Sequence, residues 1–167
     1  MSVPVHKQTT MQITEQDKEY MREAIRLANE SVKNGGGPFG AVIVKDGEII
    51  AGSSNSVTRD NDPTAHAEVN TIRQACRKLG TFDLSDCLIY TSCEPCPMCL
   101  GAILWANIDR VFQGCNISDA EKIGFRDSKF YDFLRGKPGL LTTTELSRDA
   151  CLKLFEDYSN SSKKKNY

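Results

Sequence analysis

The sequence has few of the residues that metal and proton chemistry most often use. It holds two histidines and one tryptophan in 167 residues. Imidazole chemistry therefore has only His6 and His66 to draw on. No charge of one sign dominates; the net charge is −1, which counts against a long polyanionic partner such as nucleic acid. No apolar run approaches the roughly 20 residues of a membrane helix. The stretch from Met1 to Gln12 is polar and lacks the apolar core of a signal peptide. The seven cysteines cannot all pair, and without a secretory signal they are expected as reduced thiols of a cytoplasmic protein. There are no internal repeats, and no linker divides the chain.

What is present suits one α/β domain over 1–167, with 1–12 as a loose tail. The hydrophobic fraction is 40% with mixed charges, and the length suffices for one core. Thr14 can cap a helix with Asp17 three residues on. Met21, Ile25, Ala28 and Val32 recur at helical spacing and predict its buried face, up to Asn34 and Gly35. The string Gly35-Gly36-Gly37-Pro38-Phe39-Gly40 fits G-x-G-x-x-G. It follows a helix and opens a strand, the reverse of a dinucleotide fingerprint, and no Lys-Ser or Lys-Thr follows for a phosphate loop. It reads as a turn that lets the backbone approach something closely. Ala41-Val42-Ile43-Val44 and Glu48-Ile49-Ile50-Ala51 flank Asp46-Gly47, a hairpin signal.

After a polar loop over 52–61, Asp62 caps and Pro63 opens a second helix that runs to Leu79 and stops at Gly80. A strand is expected over 87–91, a helix from Pro97 and a strand over 109–113. The stretch 114–139 is loop-rich, 140–144 is a candidate last strand, and 147–158 a last helix. Such alternation predicts a layered α/β architecture.

Chemistry concentrates in Ser92-Cys93-Glu94-Pro95-Cys96-Pro97-Met98-Cys99-Leu100-Gly101-Ala102, which packs three cysteines into seven residues. A ferredoxin-type run would need its fourth cysteine at 103, which is Ile103. A thioredoxin-like exchange motif is the second reading, since Cys-x-x-Cys at a helix start lowers a thiol pKa. Zinc fits better, given a further ligand, and His66-Ala67-Glu68 offers one. His-x-Glu with a distant Pro-Cys-x-x-Cys is the pattern of zinc nucleobase deaminases. His66, Cys96 and Cys99 make three protein ligands and leave a fourth position for water, as catalytic zinc does. Cys96 and Cys99 share one face of a helix end, where the dipole favours thiolates.

Glu68 is then the expected proton shuttle. Zinc lowers the pKa of its water from about 15.7 to about 7, and a nearby carboxylate can carry that proton to a ring nitrogen and a leaving amine. The rival is a structural zinc with Cys93 as fourth ligand and Glu68 a surface acid. Cys76, Cys87, Cys115 and Cys151 carry no spacing signal and are expected as buried packing. On an ideal helix, residues 66 and 68 point roughly 200° apart, and the spacing alone does not give how both reach one metal site.

Asp62-Pro63-Thr64-Ala65-His66-Ala67-Glu68 together with Thr91-Ser92-Cys93-Glu94-Pro95-Cys96-Pro97-Met98-Cys99 resembles the cytidine deaminase superfamily, and within it above all the bacterial-type guanine deaminases. The resemblance runs from about Gly36 to Asp127. It implies a three-layer α/β/α sandwich around a five-stranded mixed sheet, one Zn2+ per subunit, and hydrolysis of guanine to xanthine and ammonia, with a zinc-activated water attacking C2. It also implies that Asn55 holds the base, that Asp127 pairs with its edge, and that Phe39, Trp105 and Ala67 line the pocket. The resemblance further implies that 145–167 is an arm ending in a basic stretch and Tyr167. That arm crosses to the other subunit of a swapped homodimer and closes its site. Other readings are a tRNA adenosine deaminase, a deaminase of cytosine, guanosine or another aminated heterocycle, and a non-enzymatic zinc module. Trp105 and the lack of net positive charge count against the tRNA substrate.

Overall fold

The structure, a computed structural model, describes residues 12–165. His6 and most of the expected loose tail, and the terminal Tyr167, lie outside them.

Thr14 caps the first helix, α1 (Glu15–Lys33). Its hydroxyl accepts from the Asp17 N–H at 3.1 Å while the Asp17 carboxylate accepts the Thr14 N–H at 2.7 Å. The face it buries is Tyr20, Ala24, Ala28 and Ser31; Ile25 and Val32, expected inside, are exposed. Close approach is the reason. A Cβ on Gly40 would stand 2.2 Å from the Ala24 carbonyl oxygen and 2.6 Å from the Ala28 nitrogen. The helix backbone lies directly on the sheet, and small alanines make that contact.

Strands β1 (Gly40–Lys45) and β2 (Glu48–Ser54) form the expected hairpin. Asp46 and Gly47 have φ of 52° and 82°, as a type I′ turn requires. A short helical turn, α2 (Val57–Asp60), falls in the polar stretch read as loop. Helix α3 (Ala67–Leu79) begins at Ala67 and not at Pro63. The Asp62 carboxylate is already used by a local turn, accepting the Thr64 N–H and hydroxyl at 2.7 Å each. Strand β3 (Cys87–Cys93), helix α4 (Pro97–Trp105) and strand β4 (Val111–Cys115) follow near their expected positions. The stretch read as loops holds two further helices, α5 (Ile117–Lys122) and α6 (Asp127–Leu134), and α7 (Arg148–Ser159) comes last.

Among the described residues the sheet has four strands, in the order β2-β1-β3-β4, where five were expected. Residues 140–144 form no strand. Pro138, which has no N–H to donate, and the positive φ of Gly136 and Gly139 (97° and 113°) give the approach to this stretch a turn-like backbone. Strand β1 is antiparallel to β2 and β3, and β3 is parallel to β4.

Strand alternation divides the core. Val42, Val44 and Tyr90 pack with Tyr20 of α1 on one face. Ile43, Ala51 and Ile89 pack with Ala75 of α3 and Ile103 of α4 on the other. Helices on both faces give the expected three-layer α/β/α sandwich. Tyr90 stacks on Phe112 at 4.5 Å, and its hydroxyl donates to the Asp17 carboxylate at 2.5 Å, tying the α1 cap to the central strand.

Gly40→Ala should lower stability by about 1–3 kcal/mol through overpacking at the α1 contact. A lower urea midpoint at unchanged slope is the expected result; an unchanged midpoint would show that α1 can step back at no cost.

Candidate metal centre and active site

Helices α3 and α4 both start at the end of the sheet where β1 begins and β3 finishes. His66 is the N-cap of α3 and Cys96 the N-cap of α4, both with extended backbone (φ −72°, ψ 156° and φ −66°, ψ 168°). Cys99 lies in the first turn of α4, and Pro97 fills a first-turn position where a missing N–H is harmless. The late start of α3 removes the difficulty of spacing. His66 precedes the helix, so its direction is not set by the helical step from Glu68.

His66 Nδ1 stands 3.6 Å from Cys96 Sγ and 3.5 Å from Cys99 Sγ, and the three ligand atoms lie within 4.8 Å of one another. Tetrahedral zinc, with bonds near 2.0–2.1 Å to nitrogen and 2.3 Å to sulfur, sets an N···S edge of about 3.6 Å. These side chains fit it and leave one corner for another ligand. Cys93 stays apart from the set: its thiol donates to the Asn116 carbonyl at 3.7 Å, and burial pushes it up to about 12.

The site favours a cation. The Cys96 thiol is held down at about 4, first by its bond with Cys99 and then by His66. Cys99 is pushed up by that same bond and by burial. The Cys96 thiolate in turn raises His66. A divalent ion bound here would displace the thiol protons. Both helix dipoles present their positive ends here.

Glu68 is 4% exposed. One of its oxygens accepts the Thr91 hydroxyl at 2.8 Å, and the other is 3.4 Å from Cys99 Sγ. Burial raises its pKa, outweighing the Thr91 bond that lowers it. A carboxyl group whose charged form is disfavoured by burial is suited to take a proton and return it.

Phe39, Asn55, His66, Glu68, Cys96 and Asp127 line one pocket, and Glu94 and Phe125 complete it. Phe39 and Phe125 meet edge to face, with ring centroids 4.7 Å apart at 82°. The pocket has room for about 30 Å³, against the ~300 Å³ or more usual for small-molecule sites. Asn55 is buried, its N–H bonded to the Phe39 carbonyl at 3.0 Å and its Oδ1 accepting the Val57 N–H at 3.3 Å. The glycine turn makes the close approach expected of it. A Cβ on Gly36 would stand 2.4 Å from Ser31 Oγ and 3.1 Å from the Asn55 carbonyl oxygen. Asp127, first residue of α6, is raised by burial and then by the Cys96 thiolate.

Two expected contacts are not among the residues lining this pocket, and a third lies outside the described residues. Ala67 is fully buried between His66 and Glu68 and does not line the pocket. Trp105 is 66% exposed and also does not line it. It ends α4, about 12 Å along the axis from the metal-binding start, and the aromatic ring beside Phe39 in the pocket is Phe125. Tyr167 is outside the described residues. All seven cysteines are unpaired, but Cys115 and Cys151 are exposed where burial was expected. Sequence reading misses Phe125 and Glu94. A carboxylate two residues before a metal ligand is a readable signal for Glu94; Phe125 lies in a turn that no periodicity marks.

Comparison with known proteins agrees with this geometry. Residues 14–115 match the cytidine and deoxycytidylate deaminase zinc-binding region, a span that holds all three ligands and Glu68. The chain belongs to this family of zinc-dependent deaminases. It is 50% identical to the guanine deaminase of Bacillus subtilis over 152 residues, 89% of this chain and 97% of that one. The X-ray structure of the B. subtilis guanine deaminase superposes with a TM-score of 0.82 at 49% identity, over 90% of this chain and 98% of that one. The tRNA-specific adenosine deaminase of Aquifex aeolicus is 46% identical over 95 residues, 56% of this chain and 63% of that one. Among the described residues, no helix is long and apolar enough to cross a membrane.

Atomic absorption should find about one zinc per chain. Cys96→Ser and Cys99→Ser should each retain less than a tenth of it, and a chelator should lower the melting temperature of the parent protein. Full zinc content in either variant would move the metal site elsewhere.

Proposed function

We propose that this protein hydrolyses guanine to xanthine and ammonia. The observation that carries the reading is the placing of Asp127 in the same pocket as His66, Cys96 and Glu68. Guanine presents N1–H and an amino group, both donors, and an ionised carboxylate only accepts. Bound zinc supplies a Lewis acid that lets water lose a proton near neutral pH. Glu68, one oxygen fixed by Thr91, takes the proton and delivers it first to the ring and then to the departing amine. Asn55 holds the base from the turn side, and Phe39 and Phe125 flank its faces. The similarity to guanine deaminase combines 50% identity with 89% of this chain, whereas tRNA-specific adenosine deaminases reach 46% over 56% of it or 32% over 85% of it.

We further infer a homodimer in the cytoplasm, in which the segment from 145 onward acts as an arm that reaches the second subunit, with Tyr167 at its end. Leu154 and Phe155 of α7 are exposed to 65% and 72%, and Leu104 and Trp105 of α4 to 64% and 66%. These apolar surfaces support contact with a second copy. Seven unpaired thiols suit a reducing compartment.

The zinc-loaded protein, incubated with guanine, guanosine, cytosine, adenine and a tRNA, should release ammonia from guanine alone. Release from tRNA would favour adenosine editing, and none from any substrate a structural zinc module. Glu68→Gln should keep its zinc and lose about 10²–10⁴ in kcat; retained turnover removes Glu68 from proton transfer. Deleting 160–167 should cut turnover at least about tenfold with zinc still bound. Turnover at the parent level would sink the arm.

A further inference from the structure

One hydroxyl group joins the pocket wall to the metal-ligand loop. Asp127 begins α6, and Tyr131 follows four residues later, one turn along the same face. The Tyr131 hydroxyl donates to the Pro95 carbonyl at 2.7 Å. That carbonyl belongs to the peptide leading into Cys96, which is both a zinc ligand and the N-cap of α4. Helix α6 therefore offers a carboxylate to the pocket at one turn and anchors itself beside a metal ligand at the next. Tyr131 does not itself line the pocket. The start of α5 is tied separately, by the Glu94 carboxylate accepting the Ile117 N–H at 3.1 Å. The Arg135 guanidinium lies 5.8 Å from the Tyr131 ring centre and helps hold it in place. Burial pushes the hydroxyl up to about 12, so it remains a donor throughout the neutral range.

We propose that Tyr131 is a positioning residue: through Pro95 it sets the distance from Asp127 to the metal ligands, and so the grip on the donor edge of the base. This rests on the reading of Asp127 as the residue that pairs with guanine. Without the hydroxyl, α6 is free to shift against the ligand loop. A carboxylate displaced by a fraction of an ångström loses its alignment with two donors, while Glu68 and the zinc ligands stay in place.

The test is a double-mutant cycle on the zinc-loaded protein with guanine, using Tyr131→Phe, Asp127→Ala and the pair, with zinc content measured for each. Tyr131→Phe is expected to raise KM about tenfold, with kcat within about twofold of the parent and zinc unchanged. Asp127→Ala should raise KM further, and the pair should be no worse than Asp127→Ala alone. If Tyr131→Phe costs its full factor again in the Asp127→Ala background, or lowers kcat with loss of zinc, or leaves KM unchanged, the positioning role is overturned. If Asp127→Ala alone leaves KM unchanged, the Asp127 reading fails and the proposal falls with it.

Discussion

The site depends on two residues that stop just short of being helical. His66 and Cys96 keep extended backbone one position before α3 and α4. If α3 began at Pro63, as its sequence suggests, the imidazole and the Glu68 carboxylate would leave the helix in nearly opposite directions. Because it begins at Ala67, both reach the same pocket. The same placement sets the two thiols and the imidazole at the positive ends of two helices, which supports the thiolate that zinc needs. The late start follows from Asp62, one of whose oxygens accepts both the N–H and the hydroxyl of Thr64 in a local turn.

This explains which features were legible in the sequence. A metal fixes the identity of its ligands and needs them at short, regular spacing, so His66, Cys96, Cys99 and Glu68 stand out locally. The hairpin at Asp46-Gly47 and the cap at Thr14 are likewise local chemistry. The buried face of α1 was legible only in part: Ala28 and Met21 do face the core, but the face is centred by a glycine sixteen positions beyond Ala24 that lets two backbones touch. Trp105 is a different case. The resemblance implies it as a wall of the pocket, and only the direction of α4 shows how far from the metal ligands of its own chain it stands. The short helices α5 and α6 lie below the length at which periodicity speaks clearly, although Asn116 and Asp119 do form a capping box that could have been read. The missing fifth strand is a matter of Pro138 and two glycines with positive φ, which count for more than the strand-forming residues of 140–144.

Polar groups in this fold tend to serve two elements at once. Asp17 closes the α1 cap and accepts from Tyr90 in the central strand. Thr91 belongs to that strand and orients Glu68. Asn55 bonds to the Phe39 backbone while its side chain supports the start of α2. Such sharing leaves no described buried side-chain polar atom without a partner, and it links the rigidity of the sheet to the geometry of the pocket.

The direction of the strands also divides the molecule into two poles. Because β3 and β4 run parallel and Lys45 pairs with Cys87, the hairpin turn at 46–47, the connection over 80–86 and the connection over 107–110 all gather at one end. The ligand loop, the glycine turn and the start of α5 gather at the other, as ligand sites do at the carboxyl ends of parallel strands. The first pole is the place where a label, an affinity tag or an inserted loop can be carried without disturbing the chemistry. It offers a handle on the molecule from the side that the reaction does not use.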